Sequence, residues 1–266
     1  MPELPEVETV ARSIAPLVGR RIVTAEFRNL RILRGGDPDE MSRRIQGRRI
    51  TGIKRYGKYI LFTLDKNKGG YLIVHLGMTG RLLLGGAPGK HTHAIFTFDR
   101  GVLMYDDSRQ FGRLLYSEEF PERLRQLGPE PLEVRFEDFA AAMKGRKTKI
   151  KSLLLNQNFL RGVGNIYADE SLFRAGIHPL ALAWRIRPDR ARRLYDSIIA
   201  VLQEAIAAGG SSISDYVDAE GRAGFFQISH RVYQRTGEPC VTCGNVIRRT
   251  VVAQRSSHFC PACQKR

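Results

Sequence analysis

Residues 2–9 read PELPEVET, directly after Met1. If Met1 is removed, Pro2 becomes the N-terminus and supplies a secondary amine. Such an amine can attack an electrophilic carbon, a sugar C1′ for example. The iminium so formed stays cationic without needing a proton and acts as an electron sink. Glu3 then stands one residue away as an acid or base. With Met1 retained, the nitrogen of Pro2 is an amide and inert. The octet also reads as a helix start, because Pro5 suits a first helical position and Glu6 and Glu8 suit a first turn. Behind it, Val7, Val10, Ala11, Ile14, Leu17 and Val18 fall on one helical face, and Gly19 follows. The spacing predicts a helix over 3–18.

Working outward, the texture changes to β-type runs from 21 to 116. RIVTAEF, KYILFTL, GYLIVHL, HAIFTF and VLMY are broken by turns such as NKGG and GGAPGK. This predicts a β-sandwich or flattened barrel with the first helix laid against it. LGPEPLE (127–133) has the composition of a connection. Beyond it the periodicity is helical, in FEDFAAAMKG, KIKSLLLNQ, NIYADESLFRAG and a longer segment over 189–208. In NFLRGVGNIYADE (158–170), Gly162 and Gly164 allow a tight turn between two helices. The second helix starts near Asn165, so its N-terminus is a natural phosphate site, although a helix–turn–helix connector has the same pattern.

The four cysteines, Cys240, Cys243, Cys260 and Cys263, form two C-x2-C knuckles separated by sixteen residues. Two such knuckles complete a tetrahedral shell of four sulfurs, and GNVIRRTVVAQRSSHF between them reads as two short strands. The expectation is one structural zinc ion on a β-hairpin, with no open position for catalysis. Two disulfides or a redox C-x-x-C are the alternatives; the doubled motif and the absence of an export signal weigh against both.

The 266 residues are enough for one large or two ordinary domains. Lys and Arg number 43 against 27 Asp and Glu, a formal charge of +16, and the pI is ≈ 10.1. A polyanion is the expected partner, and nucleic acid is the commonest one. There is no run of about 18 apolar residues to span a bilayer, and no secretory signal is visible. The basic residues are spread along the chain rather than gathered in a tail.

The chain resembles the bacterial formamidopyrimidine-DNA glycosylases, base-excision enzymes for oxidised purines, nearly from end to end. The resemblance is carried by PELPEVET, RYGKYILF (55–62), HLGMTG (75–80), RQFGR (109–113), LGPEPL (127–132), GVGNIYADE (162–170), AGIHP (175–179) and the zinc segment. It implies an α+β protein of two domains: a catalytic N-terminal β-sandwich with an N-terminal helix (1–130), and a C-terminal helical domain. The latter comprises a helix–two-turn–helix region (131–233) and a four-cysteine zinc β-hairpin (234–266).

Carried over residue by residue, Pro2 is the nucleophile and Glu3 its acid/base partner. Lys58 serves near the lesion and in β-elimination. Arg255 holds phosphates beside the lesion and assists δ-elimination. Asn165, His91, Lys147 and Lys151 fall where the family contacts DNA phosphates, with His93 a rival to His91, and His75 joins the DNA-contacting set. Met78, Arg109 and Phe111 match the residues that fill the void left by a flipped base. Met and Phe can act as apolar wedges, and Arg can hydrogen-bond the orphaned base. Core packing for Met78 and Phe111, or a surface ion pair for Arg109, would explain the same residues. The segment 211–227 corresponds to a lesion-capping loop, with Gly221 and Gly224 as hinges.

The chain departs from the family pattern in three places: Ser108 replaces a Pro before Arg109, Asn156 replaces a carboxylate, and Thr79 follows Met78 at a variable position. The implied partner is damaged double-stranded DNA, engaged by a cytoplasmic, nucleoid-associated monomer that uses no redox or nucleotide cofactor. Two rivals remain. One is an endonuclease VIII-like glycosylase for oxidised pyrimidines, whose start has Gly where Leu4 stands. The other is a non-catalytic zinc-dependent DNA-binding protein.

Overall fold

The first helix, α1 (Leu4–Ser13), begins with a reciprocal cap: the Glu6 carboxylate accepts from the backbone N–H of Glu3 at 2.8 Å. Glu6 is therefore buried, not displayed to solvent as a first-turn charge. Val7, Val10 and Ile14 face inward as the spacing predicts, but a 3-10 turn, Ala15–Leu17, replaces the last helical turn. The computed structural model describes residues 1–33, 37–65, 69–212 and 216–266. These fall into two units, Met1–Gln126 with Ala208–Phe225, and Leu127–Ala207 with Phe226–Arg266.

The first unit is a β-sandwich. β1 (Ile22–Phe27), β6 (Thr92–Phe98), β7 (Val102–Asp106) and β5 (Arg81–Leu84) form one sheet in that order. β2 (Ile50–Tyr56), β3 (Tyr59–Leu64), β4 (Tyr71–His75) and β8 (Arg113–Ser117) form the other. All pairings are antiparallel. Phe62, Leu72 and Val74 from one sheet and Phe96, Leu103 and Tyr105 from the other share a core with α1. A helix that the β-type texture did not predict, α2 (Pro38–Ile45), interrupts the strands. Its signal is local: Asp37 caps the N–H groups of Asp39 and Glu40 at 2.9 and 3.1 Å, and Pro38 sits in the first turn. A short α3 (Glu122–Arg125) ends the first stretch.

The segment 208–225, expected in the helical domain, packs in the first unit instead. The N–H of Ser211 donates to Glu6 at 2.8 Å, that of Ala219 to Ser13 Oγ at 3.1 Å, and that of Leu84 to the Ala219 carbonyl at 2.8 Å. Periodicity reads a chain in order and does not see a segment that returns to an earlier element.

The second unit holds α4 (Phe136–Met143), α5 (Ile150–Leu155), α6 (Asn165–Arg174), α7 (Pro188–Ala207) and the hairpin β9 (Arg248–Val252) with β10 (Arg255–Phe259). Two acidic residues in the middle of α6 are fully inside. Asp169 pairs with Lys151 Nζ at 2.7 Å and accepts from the backbone N–H of His258 at 2.9 Å, with His258 Nδ1 at 3.0 Å. Glu170 accepts three consecutive N–H groups, of Arg231, Val232 and Tyr233, at 2.9, 3.0 and 2.8 Å.

Lys151, expected at a DNA phosphate, is thereby placed otherwise. Its side chain is 0% exposed, because it compensates Asp169 and donates to the Ser256 carbonyl at 2.8 Å. Removing one member of a buried pair strands the other charge. Asp169→Asn should cost roughly 3–5 kcal/mol. Urea unfolding followed by the fluorescence of Trp184, the single tryptophan, measures it; a loss within about 0.5 kcal/mol, the size of an ordinary surface change, contradicts the assignment.

Candidate active site and metal centre

Pro2 and Glu3 lie buried at the start of α1. The Glu6 carboxylate fixes them: one oxygen takes the Glu3 N–H, and the other takes the Ser211 N–H. Gly210 is the residue that permits this approach. Its φ is +83°, and a Cβ there would lie 2.9 Å from Glu6 Oε1. Gly224, read as a hinge, is packed against the carbonyls of Gly209 and Gly210 and donates to Ser212 Oγ at 2.8 Å. Gly221 has φ +81° with open space around its Cα. Residues 213–215 of that loop lie outside the described residues.

Lys58 occupies the two-residue Gly57–Lys58 turn between β2 and β3 and is 9% exposed. His75 ends β4 opposite Tyr59, with ring centroids 4.9 Å apart. Its Nδ1 accepts the Gly77 N–H at 3.1 Å. Burial, aided by the Lys58, Arg123 and Arg113 cations, pushes its pKa down to about 4. The ring is thus a neutral acceptor at physiological pH, not a cation for a phosphate.

Met78, Arg109 and Phe111 come together around one buried carboxylate. Asp107 Oδ1 accepts from Thr79 Oγ1 at 2.5 Å and from the Arg109 N–H at 3.3 Å; Oδ2 accepts from the Gly112 N–H at 2.7 Å and from the Tyr105 hydroxyl at 3.2 Å. Gly77, at φ +64°, lets the 76–80 turn touch this loop, because a Cβ there would lie 2.5 Å from the Gly112 nitrogen. The loop is held in this way although Ser108 stands where the family has Pro. Met78 is 39% and Phe111 48% exposed, so core packing does not explain them. The Arg109 guanidinium lies 4.8 Å over the Phe111 ring, and among the described residues no carboxylate pairs with it. His91 is exposed, whereas His93 is buried with Nε2 2.8 Å from the Asp107 carbonyl. Only His91 is at the surface.

In the second unit, Asn165 opens α6 behind Gly164, which offers no side-chain cap. Asn165 Nδ2 joins Lys151 on the Ser256 carbonyl, at 3.0 Å. Lys147 is exposed between α4 and α5. Arg255 is exposed directly after Ala253 and Gln254, whose φ values of 49° and 58° make a two-residue hairpin turn without glycine. The sulfur atoms of Cys240, Cys243, Cys260 and Cys263 all lie within 4.8 Å of one another, with Cys243 and Cys260 3.5 Å and Cys240 and Cys263 3.9 Å apart. Tetrahedral zinc–thiolate bonds of about 2.3 Å need sulfur separations of about 3.8 Å, so the shell fits one zinc ion and closes it off. The site is a four-cysteine zinc centre of structural type.

Sequence reading missed the carboxylates that organise these groups: Glu6, Asp107, Asp169 and Glu170. The Glu3-x-x-Glu6 spacing was a usable capping signal. Nothing in DDSRQF separates Asp107 from its exposed-type neighbours.

The second unit should depend on its metal and the first should not. Cys243→Ser should lower zinc from one per chain to well below half and melt the hairpin, as judged by metal analysis and backbone NMR; full zinc retention contradicts the ligand set. Acid should destabilise the fold. His75 and His230 both have pKa values depressed to about 4 by burial, against about 6.5 unfolded. Between those values the unfolded chain binds protons that the folded chain refuses, so their stabilisation is complete above pH 6.5 and lost towards pH 4. The urea midpoint should fall from pH 7 to 4.5, and His75→Gln should shrink that fall without abolishing it, since His230 remains. An unchanged pH dependence in His75→Gln rules out His75 as a contributor.

Comparison with known proteins agrees across the chain. Residues 1–114 match the formamidopyrimidine-DNA glycosylase N-terminal domain, 127–217 the formamidopyrimidine-DNA glycosylase H2TH domain, and 237–266 the zinc finger found in FPG and IleRS. The chain is 74% identical over 266 residues to the formamidopyrimidine-DNA glycosylase of Solibacter usitatus, covering 100% of both chains. Among solved structures, it superposes with a TM-score of 0.92 on a Lactococcus lactis FPG mutant bound to Fapy-dG DNA, at 37% identity with 100% of both chains covered. The Thermus thermophilus MutM (FPG) protein gives a TM-score of 0.89 at 42% identity, with 99% of this chain and 98% of that one covered. The chain belongs to the formamidopyrimidine-DNA glycosylase family.

Proposed function

We propose that the protein is a bifunctional DNA glycosylase and AP lyase that removes oxidised purines, 8-oxoguanine and formamidopyrimidines, from duplex DNA. The observation that carries this reading is the N-terminus. Pro2 and Glu3 are fixed at the start of α1 by the buried Glu6 carboxylate. Cleavage of the Met1–Pro2 bond therefore leaves a secondary amine in a defined place.

Exposed groups, among them His91, Lys147 and Arg255, together with Asn165 at the α6 N-terminus, engage the phosphates. The damaged base leaves the stack, its cost lowered by the lesion. Met78 and Phe111 occupy the void, and Arg109 bonds to the orphaned base. The Pro2 nitrogen attacks C1′; the C1′–base bond breaks and the base leaves with its electron pair, protonated by an acid such as Glu3. The nitrogen sheds its proton and its lone pair expels O4′: the C1′–O4′ bond breaks, O4′ takes up a proton, and the ring-opened iminium acidifies C2′–H. Lys58 serves the β-elimination that expels the 3′ phosphate, and Arg255 assists the δ-elimination that expels the 5′ phosphate. Water then hydrolyses the imine and frees the enzyme. The zinc supplies no step; it holds the hairpin that carries Arg255.

Arg109 suits an orphaned cytosine, whose O2 and N3 accept from a guanidinium, whereas the amino group of adenine faces it badly. Two such bonds are worth ~1–3 kcal/mol, or roughly ten- to a hundredfold. A Lactococcus lactis FPG has been solved with DNA containing an oxidised pyrimidine, so pyrimidine lesions belong in the assay. Single-turnover cleavage should be fastest for 8-oxoguanine opposite cytosine, slower opposite adenine and slower still for thymine glycol. Arg109→Ala should narrow the first gap. Borohydride should trap a covalent adduct that peptide mapping places on the N-terminal peptide, and Pro2→Gly should lose most base release. An adduct on an internal lysine, or a preference for thymine glycol, overturns the reading.

A further inference from the structure

A cavity of about 460 Å³ opens at the C-terminal end of α6. Arg174, Arg190, Arg193, Arg231 and Lys265 line it over a floor that includes Phe173, and among the described residues no carboxylate lines it. Two of the cations are committed to the fold. Arg174 forms a two-pronged pair with Glu204, at 2.6 Å for each bond. Arg190 holds main-chain oxygens of Gly176, Lys265 and Arg266 at 3.3, 2.8 and 3.1 Å. The others are not. Arg193 lies 3.7 Å from Asp189 with its side chain 59% exposed. Among the described residues Lys265 has no carboxylate within ion-pair distance, and neither has Arg231, whose charge acts on Glu204 only through space.

These cations are placed apart from the groups assigned to the DNA. α6 runs from Asn165 to Arg174, about 13 Å at 1.5 Å per residue. β10 runs from Arg255 to Phe259, about 13 Å at 3.3 Å per residue, and the second cysteine knuckle follows. α6 starts at Asn165 and ends at the cavity; β10 starts at Arg255, and the knuckle after it reaches the cavity at Cys263. The cavity thus lies one α6 length, about 13 Å, from Asn165.

We propose that this cavity is a second anion site that takes clustered phosphate oxyanions. Arginine forks match phosphate geometry in pairs, and the volume lies in the range of small-ligand sites, on the order of 300–1,000 Å³. The phosphates come either from a free oligophosphate or nucleotide, or from the backbone of a second nucleic-acid segment. One other demand acts on these cations: Cys263 also lines the cavity, and a zinc tetrathiolate is formally dianionic. The inference stands apart from the catalytic reading, and its test does not need base excision.

Zinc-loaded full-length protein is titrated with inorganic pyrophosphate by calorimetry. In a second arm, protein bound to one short duplex with a stable abasic-site analogue is offered a second, fluorescently labelled duplex. Wild type should bind pyrophosphate in a one-to-one complex. R193E/R231E should weaken it roughly tenfold or more, and the milder R193Q/R231Q should weaken it several-fold, with zinc content unchanged. Recruitment of the second duplex, lost in the same variants, identifies nucleic acid as the source; pyrophosphate binding without recruitment identifies free phosphates. The proposal is overturned if neither probe binds, or if both bind wild type and variants alike. It is also overturned if the substitutions lower only zinc retention, which would make the cluster a counter-charge for the thiolates.

Discussion

The second unit depends on one carboxylate with no access to water. Asp169 lies within the fold, where an unpaired charge is very costly. Its oxygens are answered by Lys151 from α5 and by the backbone and ring of His258 from β10. Lys151 and Asn165 then both donate to the Ser256 carbonyl. Two successive helices, α5 and α6, and the distant strand β10 are thereby locked in one register. Arg255 is the neighbour of Ser256, so its place on the hairpin is set through a charge two elements away. Zinc closes the far end of the same hairpin.

The first unit uses the same physics twice. Glu6 gathers the N–H groups of Glu3 and Ser211, joining the N-terminal dipeptide to a segment some two hundred residues later. Asp107 gathers Thr79, Arg109 and Gly112 and so places two loops side by side. In each case a buried acceptor takes backbone N–H groups from loops that have no ladder of their own, and Asp107 takes two hydroxyls besides. Loops held in this way can present large exposed groups without a hydrophobic anchor. Met78 and Phe111 stay on the surface for that reason.

Net charge gave the right class of partner but did not sort the cations. Lys151 and Lys147 are four residues apart and chemically identical, yet one is fully buried in an ion pair and the other is at the surface. His91 and His93 are two apart on one strand approach; the turn before β6 leaves the first outside, and the Asp107 carbonyl draws the second in. Arg174 and Arg231 both feel the Glu204 carboxylate, yet only Arg174 reaches it with a two-pronged hydrogen-bonded pair.

Local chemistry written in the chain was enough for the α1 face, the strand runs, the helix start at Asn165 and the four zinc ligands, because periodicity, turn residues and ligand spacing act within a few residues. The family motifs, read together, pointed to the site. Tertiary structure alone decided which unit residues 208–225 join, that Lys151 is structural, and that His75 is held neutral. It also decided that Glu6, Asp107, Asp169 and Glu170 are buried anchors and not surface acids. The physical reason is common to all of these: the role of a charged residue is set by how much water reaches it and by which donors meet it. Those donors come from chain segments that sequence spacing does not connect.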